Sequence, residues 1–229
     1  MKLKGILFDF NGTLFFDSDM HIEAFKRVFA EYGKTAPSRE VMITRFFGRT
    51  NRTIYRENFN ENATDEEIAI FTEKKESAYV NICREMGKGL SLAKGAVEML
   101  DAIKEMNIPY CLATGSEKGN VDFYMDALDL GRWFTYDNIV YENGTFPGKP
   151  APDIYRLAAK RLGLTPEECL VFEDGTSGIM AANAANAGAV VVVYDSKYPS
   201  PLNDQTQVNE VKFDHTDFKN TISKYIDLE

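Results

Sequence analysis

Residues 4–18 read KGILFDFNGTLFFDS, and this stretch decides the fold. An apolar run, residues 6–8, stops at the single acid Asp9. A continuous apolar run is typical of a strand that is buried on both faces, as in a parallel sheet. In open α/β sheets, functional sites form at the carboxyl ends of the strands, which is where Asp9 stands. The stretch therefore predicts a buried first strand with a functional acid at its end.

Similar apolar runs recur along the chain and alternate with segments of helical period. They cover residues 109–113, 139–141, 170–172 and 189–193. Apolar residues at helical spacing predict helices over residues 95–106 and 152–162. Regular alternation of strand and helix predicts an α/β fold, a Rossmann-like doubly wound parallel sheet.

Residues 16–88 break this alternation, because they contain no convincing strand. Residues 20–32 are amphipathic, and residues 65–86 are long, charged and helical in period. We expect residues 1–15 and 89–229 to form the Rossmann-like core domain and residues 16–88 to form an inserted α-helical cap domain. A cap closes over a site, excludes water and selects the substrate.

Composition excludes several classes of protein. The net charge of −9 argues against a general nucleic-acid binder, although a locally positive site still permits an anionic small substrate. The cysteines, Cys83, Cys111 and Cys169, form no CxxC pair and predict neither a disulfide framework nor a zinc site. The sequence has no signal-peptide pattern and no apolar run of the roughly 18 residues that span a membrane. We expect a cytoplasmic monomer without nucleic-acid or membrane partners.

Polar residues follow the predicted strands or precede the next helix, where a shared rim is expected. These groups are Asp9-Phe10-Asn11-Gly12-Thr13, Thr114-Gly115-Ser116, Gly148-Lys149-Pro150 and Glu173-Asp174-Gly175. Acids, hydroxyls and one lysine at one rim indicate phosphoryl chemistry, since a carboxylate can attack phosphorus and form an aspartyl phosphate. A Mg²⁺ ion would separate the carboxylates from the phosphoryl oxygens, with Asp9 and Asp174 as oxygen ligands. Thr114 and Lys149 would hold the remaining phosphoryl charge.

Taken together, these motifs resemble those of the haloacid dehalogenase-like hydrolases, in the branch of β-phosphoglucomutase and the phosphosugar phosphatases. The resemblance covers nearly the whole chain, including the insert. It implies that Asp9 is the nucleophile, that Thr114 and Lys149 bind phosphate, and that Asp174 binds Mg²⁺ with support from Glu173. The implied activity is Mg²⁺-dependent hydrolysis of a small phosphorylated metabolite, a sugar phosphate.

Asn11 departs from this family pattern. The phosphatases and mutases carry an Asp there, which protonates the leaving oxygen and then deprotonates the attacking water. An amide does neither near neutral pH, so a loss of about 10²–10⁴-fold in rate is expected. The resemblance implies that Asn11 still offers its backbone carbonyl to Mg²⁺. The sequence leaves open whether Asn11 is the natural residue or was introduced to trap a substrate complex.

The insert supplies candidates for substrate binding. Residues 46–52 resemble the substrate-specificity loop of the family, and Phe47 replaces the Lys of β-phosphoglucomutase. Arg52 matches an Arg that grips the distal phosphate, and His21 matches a cap His that supports proton transfer. The full set of predicted substrate-binding residues is Gly48, Arg49, Arg52, His21, Gly115 and Ser116. Two alternatives stay open at this stage: phosphoryl transfer as in β-phosphoglucomutase, and a catalytically impaired phosphosugar-binding protein.

Overall fold

The protein is described by a computed structural model that covers residues 2–47 and 49–227, with the backbone alone at Lys88. The chain forms two compact units. One consists of Met1–Phe16 and Ser91–Glu229, and the other consists of Asp17–Leu90. These divisions lie within two residues of the boundaries expected after residues 15 and 88. We call the first the α/β unit and the second the helical unit.

The helices and strands of the two units follow in this order. The α/β unit starts with strand β1 (Gly5–Phe8). The helical unit follows with α1 (Ser18–Glu31), α2 (Arg39–Arg45), α3 (Asn51–Asn58) and α4 (Asp65–Met86). The α/β unit resumes with α5 (Ala96–Glu105), β2 (Tyr110–Glu117), α6 (Lys118–Ala127), β3 (Ile139–Glu142), α7 (Asp153–Arg161), β4 (Cys169–Glu173), α8 (Thr176–Ala184), β5 (Ala189–Val193), β6 (Glu210–Lys212) and α9 (Phe218–Tyr225).

The strands form one sheet in the order β3-β2-β1-β4-β5-β6, and every neighbouring pair is parallel. β1 lies between β2 and β4, with Leu7 beside Cys111 on one side and Val171 on the other. This order is that of a doubly wound Rossmann-like sheet. The predicted fold class is confirmed, and the carboxyl ends of β1, β2 and β4 are neighbours.

Burial explains why the strands read as continuous apolar runs. All residues of β1, β4 and β5 are buried. Ile154 and Ala158 of α7 and Ile179 of α8 pack in one cluster with Leu7 and Val171 of the sheet. Because helices cover the sheet, its central strands have no polar face, and alternation of polar and apolar residues is lost.

The sequence pattern does not predict strand β6. It is only three residues long, and its burial is intermediate throughout. Charged residues stand at both ends, where Lys212 Nζ lies 2.7 Å from Glu210 Oε1. A short, charged strand carries no apolar run, so pairing with β5 determines its conformation rather than its own sequence.

The helical unit packs around aromatic side chains. Its longest helix, α4, has the predicted bounds and begins with a capping box between Thr64 and Glu67. The ring of Phe59 lies 4.6 Å from that of Phe29 and 5.2 Å from that of Phe71. Phe46 is buried against this core. Within the described part of this unit, residues 17–47 and 49–90, no residue lies in a strand.

α4 has 22 residues but carries acidic and basic side chains along its length. Across residues 2–47 and 49–227, no helix combines the length and the apolar character that crossing a bilayer requires.

Candidate active site

The loop after β1 presents Asp9 on a hydrogen-bonded turn. The Asp9 amide donates to the Phe172 carbonyl of β4 at 2.9 Å, so strand pairing continues up to the acid. The amides of Leu14 and Phe15 both donate to the Phe10 carbonyl, which closes the turn. Asp9 itself is only 6% exposed. The predicted nucleophile is therefore a buried carboxylate on a well-anchored backbone.

Gly12 and Thr13 bring this loop against Asp174. Gly12 has a φ of 81°, in the left-handed region that favours glycine. A Cβ at this position would overlap the Asp174 carboxylate. The Thr13 hydroxyl lies 3.3 Å from Asp9 Oδ2 and 3.4 Å from Asp174 Oδ1. The Gly-Thr pair thus allows Asp9, which follows β1, and Asp174, which follows β4, to approach the same hydroxyl group.

Three carboxylates and one lysine meet at the carboxyl ends of the strands. Asp9, Glu173 and Asp174 each place an oxygen within 4.8 Å of the others. Lys149 Nζ donates to Asp9 Oδ1 and to Glu173 Oε1, in both cases at 2.6 Å. The predicted acids and the predicted lysine, which are far apart in the sequence, therefore form one cluster.

The electrostatics of this cluster follow from its burial. Burial raises the pKa of Asp9 to about 7, with Lys149 opposing the rise and Glu173 adding to it. For Lys149, burial alone lowers the pKa, but the carboxylates of Asp9 and Glu173 outweigh that effect and hold the pKa above its ordinary value. Lys149 therefore stays charged, and Asp9 is a carboxylate whose ionisation depends on the cations beside it.

Glu173 is held by donors on both oxygens. Oε1 accepts from Lys149 and from the Tyr155 hydroxyl at 2.8 Å. Oε2 accepts from the backbone amides of Asp174 at 2.8 Å and Gly175 at 2.9 Å. Because both oxygens already accept two hydrogen bonds, Glu173 is suited to orient its neighbours rather than to bind an ion directly.

The donor set fits a magnesium ion. Mg²⁺ takes hard oxygen ligands, and clustered carboxylates repel one another unless a cation lies among them. The Thr13 hydroxyl contacts one oxygen of Asp9 and one of Asp174, whereas both oxygens of Glu173 accept two hydrogen bonds each, so Asp9 and Asp174 are the carboxylates suited to hold the ion. The predicted metal ligands are Asp9, Asn11, Asp174 and Glu173. Within this set, Glu173 is suited to orient its neighbours rather than to bind the ion directly.

Asn11 lies in a network of hydroxyl groups. Its Oδ1 accepts from Ser116 Oγ at 2.7 Å and from Thr114 Oγ1 at 3.4 Å. Its Nδ2 donates to the Tyr124 hydroxyl at 2.9 Å. The Ser116 amide in turn donates to Thr114 Oγ1 at 3.1 Å. The carboxamide therefore has an acceptor for its N–H and donors for its oxygen, so its surroundings suit an amide.

The remaining predicted binding residues are placed as follows. In the α/β unit, Gly115 follows Thr114 on β2 and is exposed. In the helical unit, Arg49 pairs with Glu57 through two hydrogen bonds of 2.8 and 2.5 Å. Arg52 pairs with Asp65 at 2.7 Å. Each arginine would have to exchange a carboxylate for a substrate anion. Gly48, also predicted to bind substrate, lies outside the described residues.

His21 belongs to a buried polar cluster of the helical unit. Its Nε2 lies 3.2 Å from Asp17 Oδ2, and its Nδ1 lies 2.9 Å from Lys75 Nζ. Its ring stacks on that of Tyr79, whose hydroxyl donates to Asp17 at 2.5 Å. His21 therefore has partners at both ring nitrogens within its own unit, which fixes its orientation.

Four residues that line or support the site have no role predicted from the sequence: Thr13, Tyr124, Tyr155 and His215. Tyr155 shares the buried face of α7 with Ile154 and Ala158. A tyrosine on a buried face requires a partner for its hydroxyl, and that signal was available. For His215, whose Nε2 lies 2.9 Å from the Thr13 carbonyl, the sequence contains no such signal.

Comparison with known proteins gives a consistent result. A family model described as haloacid dehalogenase-like hydrolase matches residues 3–186. Protein CbbY of Rhodobacter capsulatus is 31% identical over 208 residues, which cover 86% of this chain and 88% of that protein. A phosphorylated carbohydrates phosphatase of Thermotoga maritima is 29% identical over 206 residues, covering 85% and 87% of the two chains. The crystal structure of a haloacid dehalogenase hydrolase of family IA, variant 3, from Entamoeba histolytica superposes with a TM-score of 0.85 at 34% identity and covers 99% of both chains.

Proposed function

Because the chain belongs to the haloacid dehalogenase-like hydrolases, we propose that it is a Mg²⁺-dependent phosphatase of small phosphorylated sugars that works through an aspartyl phosphate on Asp9. One relative, 29% identical to this chain, is named a phosphorylated carbohydrates phosphatase, and a phosphatase hydrolyses phosphate esters. The magnesium ion, the aspartyl phosphate and the roles of single residues are inferred from the side chains of the site.

The observation that carries the proposal is the position of Asp9 in the cluster. One of its oxygens accepts from Lys149 at 2.6 Å, and the other lies 3.3 Å from the Thr13 hydroxyl. Its backbone is fixed by β4 through the Phe172 carbonyl. A nucleophile needs this kind of orientation, because correct placement removes much of the entropic cost of reaction. In this proposal, Lys149 and Thr114 bind the phosphoryl oxygens.

The reaction has two displacement steps. In the first, an Asp9 carboxylate oxygen forms a bond to phosphorus, and the bond from phosphorus to the sugar oxygen breaks. The sugar oxygen leaves with the electron pair and takes up a proton. In the second step, water attacks the same phosphorus, loses a proton, and the bond to Asp9 breaks to release inorganic phosphate. Lys149 and the Thr114 hydroxyl offset the charge on the phosphoryl oxygens in both steps.

Asp9 and Asp174, with the backbone carbonyl of Asn11, would hold the magnesium ion, and the ion would supply charge neutralisation between the carboxylates and the phosphoryl group. Glu173 orients this set. Its own oxygens are fixed by Lys149, Tyr155 and two backbone amides.

Asn11 limits the rate in this proposal. A carboxamide neither gives a proton to the leaving oxygen nor takes one from water near neutral pH. Both protons must therefore be exchanged without a carboxyl group at position 11. The phosphoryl group on Asp9 consequently waits longer before hydrolysis than it would with an Asp at that position.

The test is phosphate release from a panel of sugar phosphates with Mg²⁺. The native protein is compared with Asp9→Asn and with Asp126→Asn, a control that alters an exposed aspartate on α6. We expect Asp9→Asn to lose phosphate release to background and Asp126→Asn to match the native protein. Release by Asp9→Asn at the native rate would refute the assignment of the nucleophile.

A second candidate function, phosphoryl transfer as in β-phosphoglucomutase, is favoured by one observation. The Asn11 carboxamide is held by Ser116 and Tyr124, and such a group does not activate water. A long-lived phosphoryl group could then pass to a second sugar phosphate. Interconversion of glucose 1-phosphate and glucose 6-phosphate with little free phosphate would support transfer. Tight Mg²⁺-dependent binding with negligible turnover would instead support a phosphosugar-binding role.

A further inference from the structure

The carbonyl of Thr13 has a partner that comes from the far end of the chain. His215 Nε2 lies 2.9 Å from the Thr13 carbonyl oxygen, across 202 residues of sequence. His215 is 3% exposed and Thr13 is fully buried, so neither group can exchange this partner for water. The contact therefore joins the loop after β1 to the segment between β6 and α9.

His215 is itself fixed from several directions. Its amide donates to the Lys94 carbonyl at 2.9 Å, and its carbonyl accepts from the Phe218 amide at 3.1 Å. A Cβ at Gly95 would overlap the backbone between His215 and Thr216, so the two segments are in close contact. The histidine ring thus stands on a backbone that leaves it little freedom to move.

The bond requires His215 to be a donor at Nε2. A carbonyl oxygen only accepts, so the proton must be on Nε2. Burial lowers the pKa of His215, with the Thr13 carbonyl and Asp214 opposing that shift. The neutral ring with its proton on Nε2 satisfies the contact and needs no buried charge.

Thr13 passes this constraint to the site. Its hydroxyl lies 3.3 Å from Asp9 Oδ2 and 3.4 Å from Asp174 Oδ1. Its backbone amide donates to the Phe10 carbonyl at 3.2 Å, within the turn that carries Asp9. A shift of the Thr13 backbone would therefore displace a hydroxyl that contacts both acids.

We propose that His215 is a positioning residue for the reaction: its Nε2–H holds the Thr13 carbonyl and thereby keeps Asp9 and Asp174 in register for attack and for ion binding. The inference rests on the proposed function, since it takes Asp9 as the nucleophile. It also gives a role to a segment beyond residue 186, where the family match ends.

The test uses the full-length protein with His215→Phe, His215→Gln and Tyr110→Phe. Phenylalanine keeps a ring but removes the donor, whereas the glutamine amide restores an N–H at a similar reach. Tyr110→Phe is the matched control, because the Tyr110 hydroxyl donates to the Trp133 carbonyl at 2.6 Å in the same unit but at the opposite end of β2 from the site. Asp9→Asn is measured alongside.

Two readouts separate positioning from stability. We expect His215→Phe to lower kcat about 10- to 100-fold with KM within about threefold, as a misplaced reactive group does. His215→Gln should recover kcat to within about fivefold of the native value, and Tyr110→Phe should leave kcat unchanged. Amide hydrogen exchange in the peptide over residues 9–16 should speed up about tenfold in His215→Phe and not in Tyr110→Phe.

The outcomes are distinguishable. If His215→Phe and Tyr110→Phe have the same kcat and the same exchange in residues 9–16, the positioning role is wrong while the proposed function stands. If His215→Phe fails to fold, His215→Leu takes its place, because leucine is smaller and also lacks the donor. Native kcat and native exchange in residues 9–16 of folded His215→Leu would overturn the positioning role, and the losses expected for His215→Phe would support it. If Asp9→Asn retains activity, the proposed function itself fails.

Discussion

At the scale of single residues, the hydrogen bonds to Glu173 illustrate what the site requires. Each of its oxygens accepts two hydrogen bonds, and one of the four donors is the Tyr155 hydroxyl. Glu173 is 2% exposed, so a lost donor cannot be replaced easily by water. The free energy of this buried acid therefore depends on a residue that lies 18 positions earlier in the sequence.

We predict that Tyr155→Phe lowers the free energy of unfolding by about 1–3 kcal/mol, the cost of removing one partner from a buried charged acceptor. Tyr136→Phe is the matched control, because its hydroxyl also donates to a carboxylate, Asp122, but the ring is 43% exposed. Its cost should be about 0.5 kcal/mol or less. Urea denaturation measures both, and equal costs would contradict the role given to Tyr155.

The raised pKa of Asp9 predicts a pH-dependent effect of Mg²⁺. The folded protein binds the Asp9 proton more tightly than the unfolded chain does, because burial raises the pKa from 3.8 to about 7. The metal-free protein therefore loses stability as pH rises from about 4 towards 7. Mg²⁺ binds the ionised carboxylate, so the rise in Tm that it causes should grow between about pH 6 and about pH 8.

Thermal denaturation with and without Mg²⁺ across that range checks this prediction. Asp126→Asn should behave as the native protein, and Asp9→Asn should lose both the Mg²⁺ effect and its pH dependence. A Mg²⁺-induced shift that is constant with pH in the native protein would mean that Asp9 does not titrate with the bound ion.

The contacts of Asn11 predict coupling with Tyr124. The amide donates to the Tyr124 hydroxyl at 2.9 Å, and Tyr124 is 1% exposed. Asn11→Ala and Tyr124→Phe each remove this hydrogen bond. The loss of unfolding free energy in the double variant should therefore be smaller than the sum of the two single-variant losses, by about 0.5–3 kcal/mol. Additive effects would show that the two side chains do not support each other.

At the scale of secondary-structure elements, sequence pattern predicted most of the architecture. The buried strands β1, β4 and β5 carry apolar runs, and α4 has a clear start at its capping box. Strand β6 could not be predicted, because its three half-buried residues take their conformation from β5. Local sequence determines an element when the element is long or fully buried, and tertiary pairing determines it otherwise.

The start of α4 supplies a prediction for the helical unit. The Thr64 hydroxyl accepts from the Glu67 amide at 3.2 Å, and the Glu67 carboxylate accepts from the Thr64 amide at 2.7 Å. Thr64→Ala should therefore lower stability by about 1 kcal/mol, whereas Thr64→Ser keeps the cap and should cost only a few tenths. Chemical denaturation compares them, and equal losses would exclude capping as the cause.

At the scale of the whole molecule, the strand–helix alternation stops and resumes along the sequence, and this interruption is what predicts an inserted helical domain. The acids, Thr114 and Lys149 could be placed at one rim because parallel strands end at one edge. The supporting residues Tyr124 and His215 could not be predicted. Tyr124 contacts Asn11 across 113 residues and His215 contacts Thr13 across 202, and no local pattern encodes such pairings.

The central claim is that Asp9 carries the phosphoryl group and that Asn11 slows its release. The most direct measurement is acid-quenched phosphoprotein from radiolabelled acetyl phosphate with Mg²⁺, followed over time in the native protein, Asp9→Asn and Asn11→Asp. The account predicts a hydroxylamine-sensitive phosphoprotein in the native protein, none in Asp9→Asn, and a species in Asn11→Asp that decays about 10²–10⁴-fold faster. Labelling that persists in Asp9→Asn, or equal decay of the native and Asn11→Asp proteins, would contradict it.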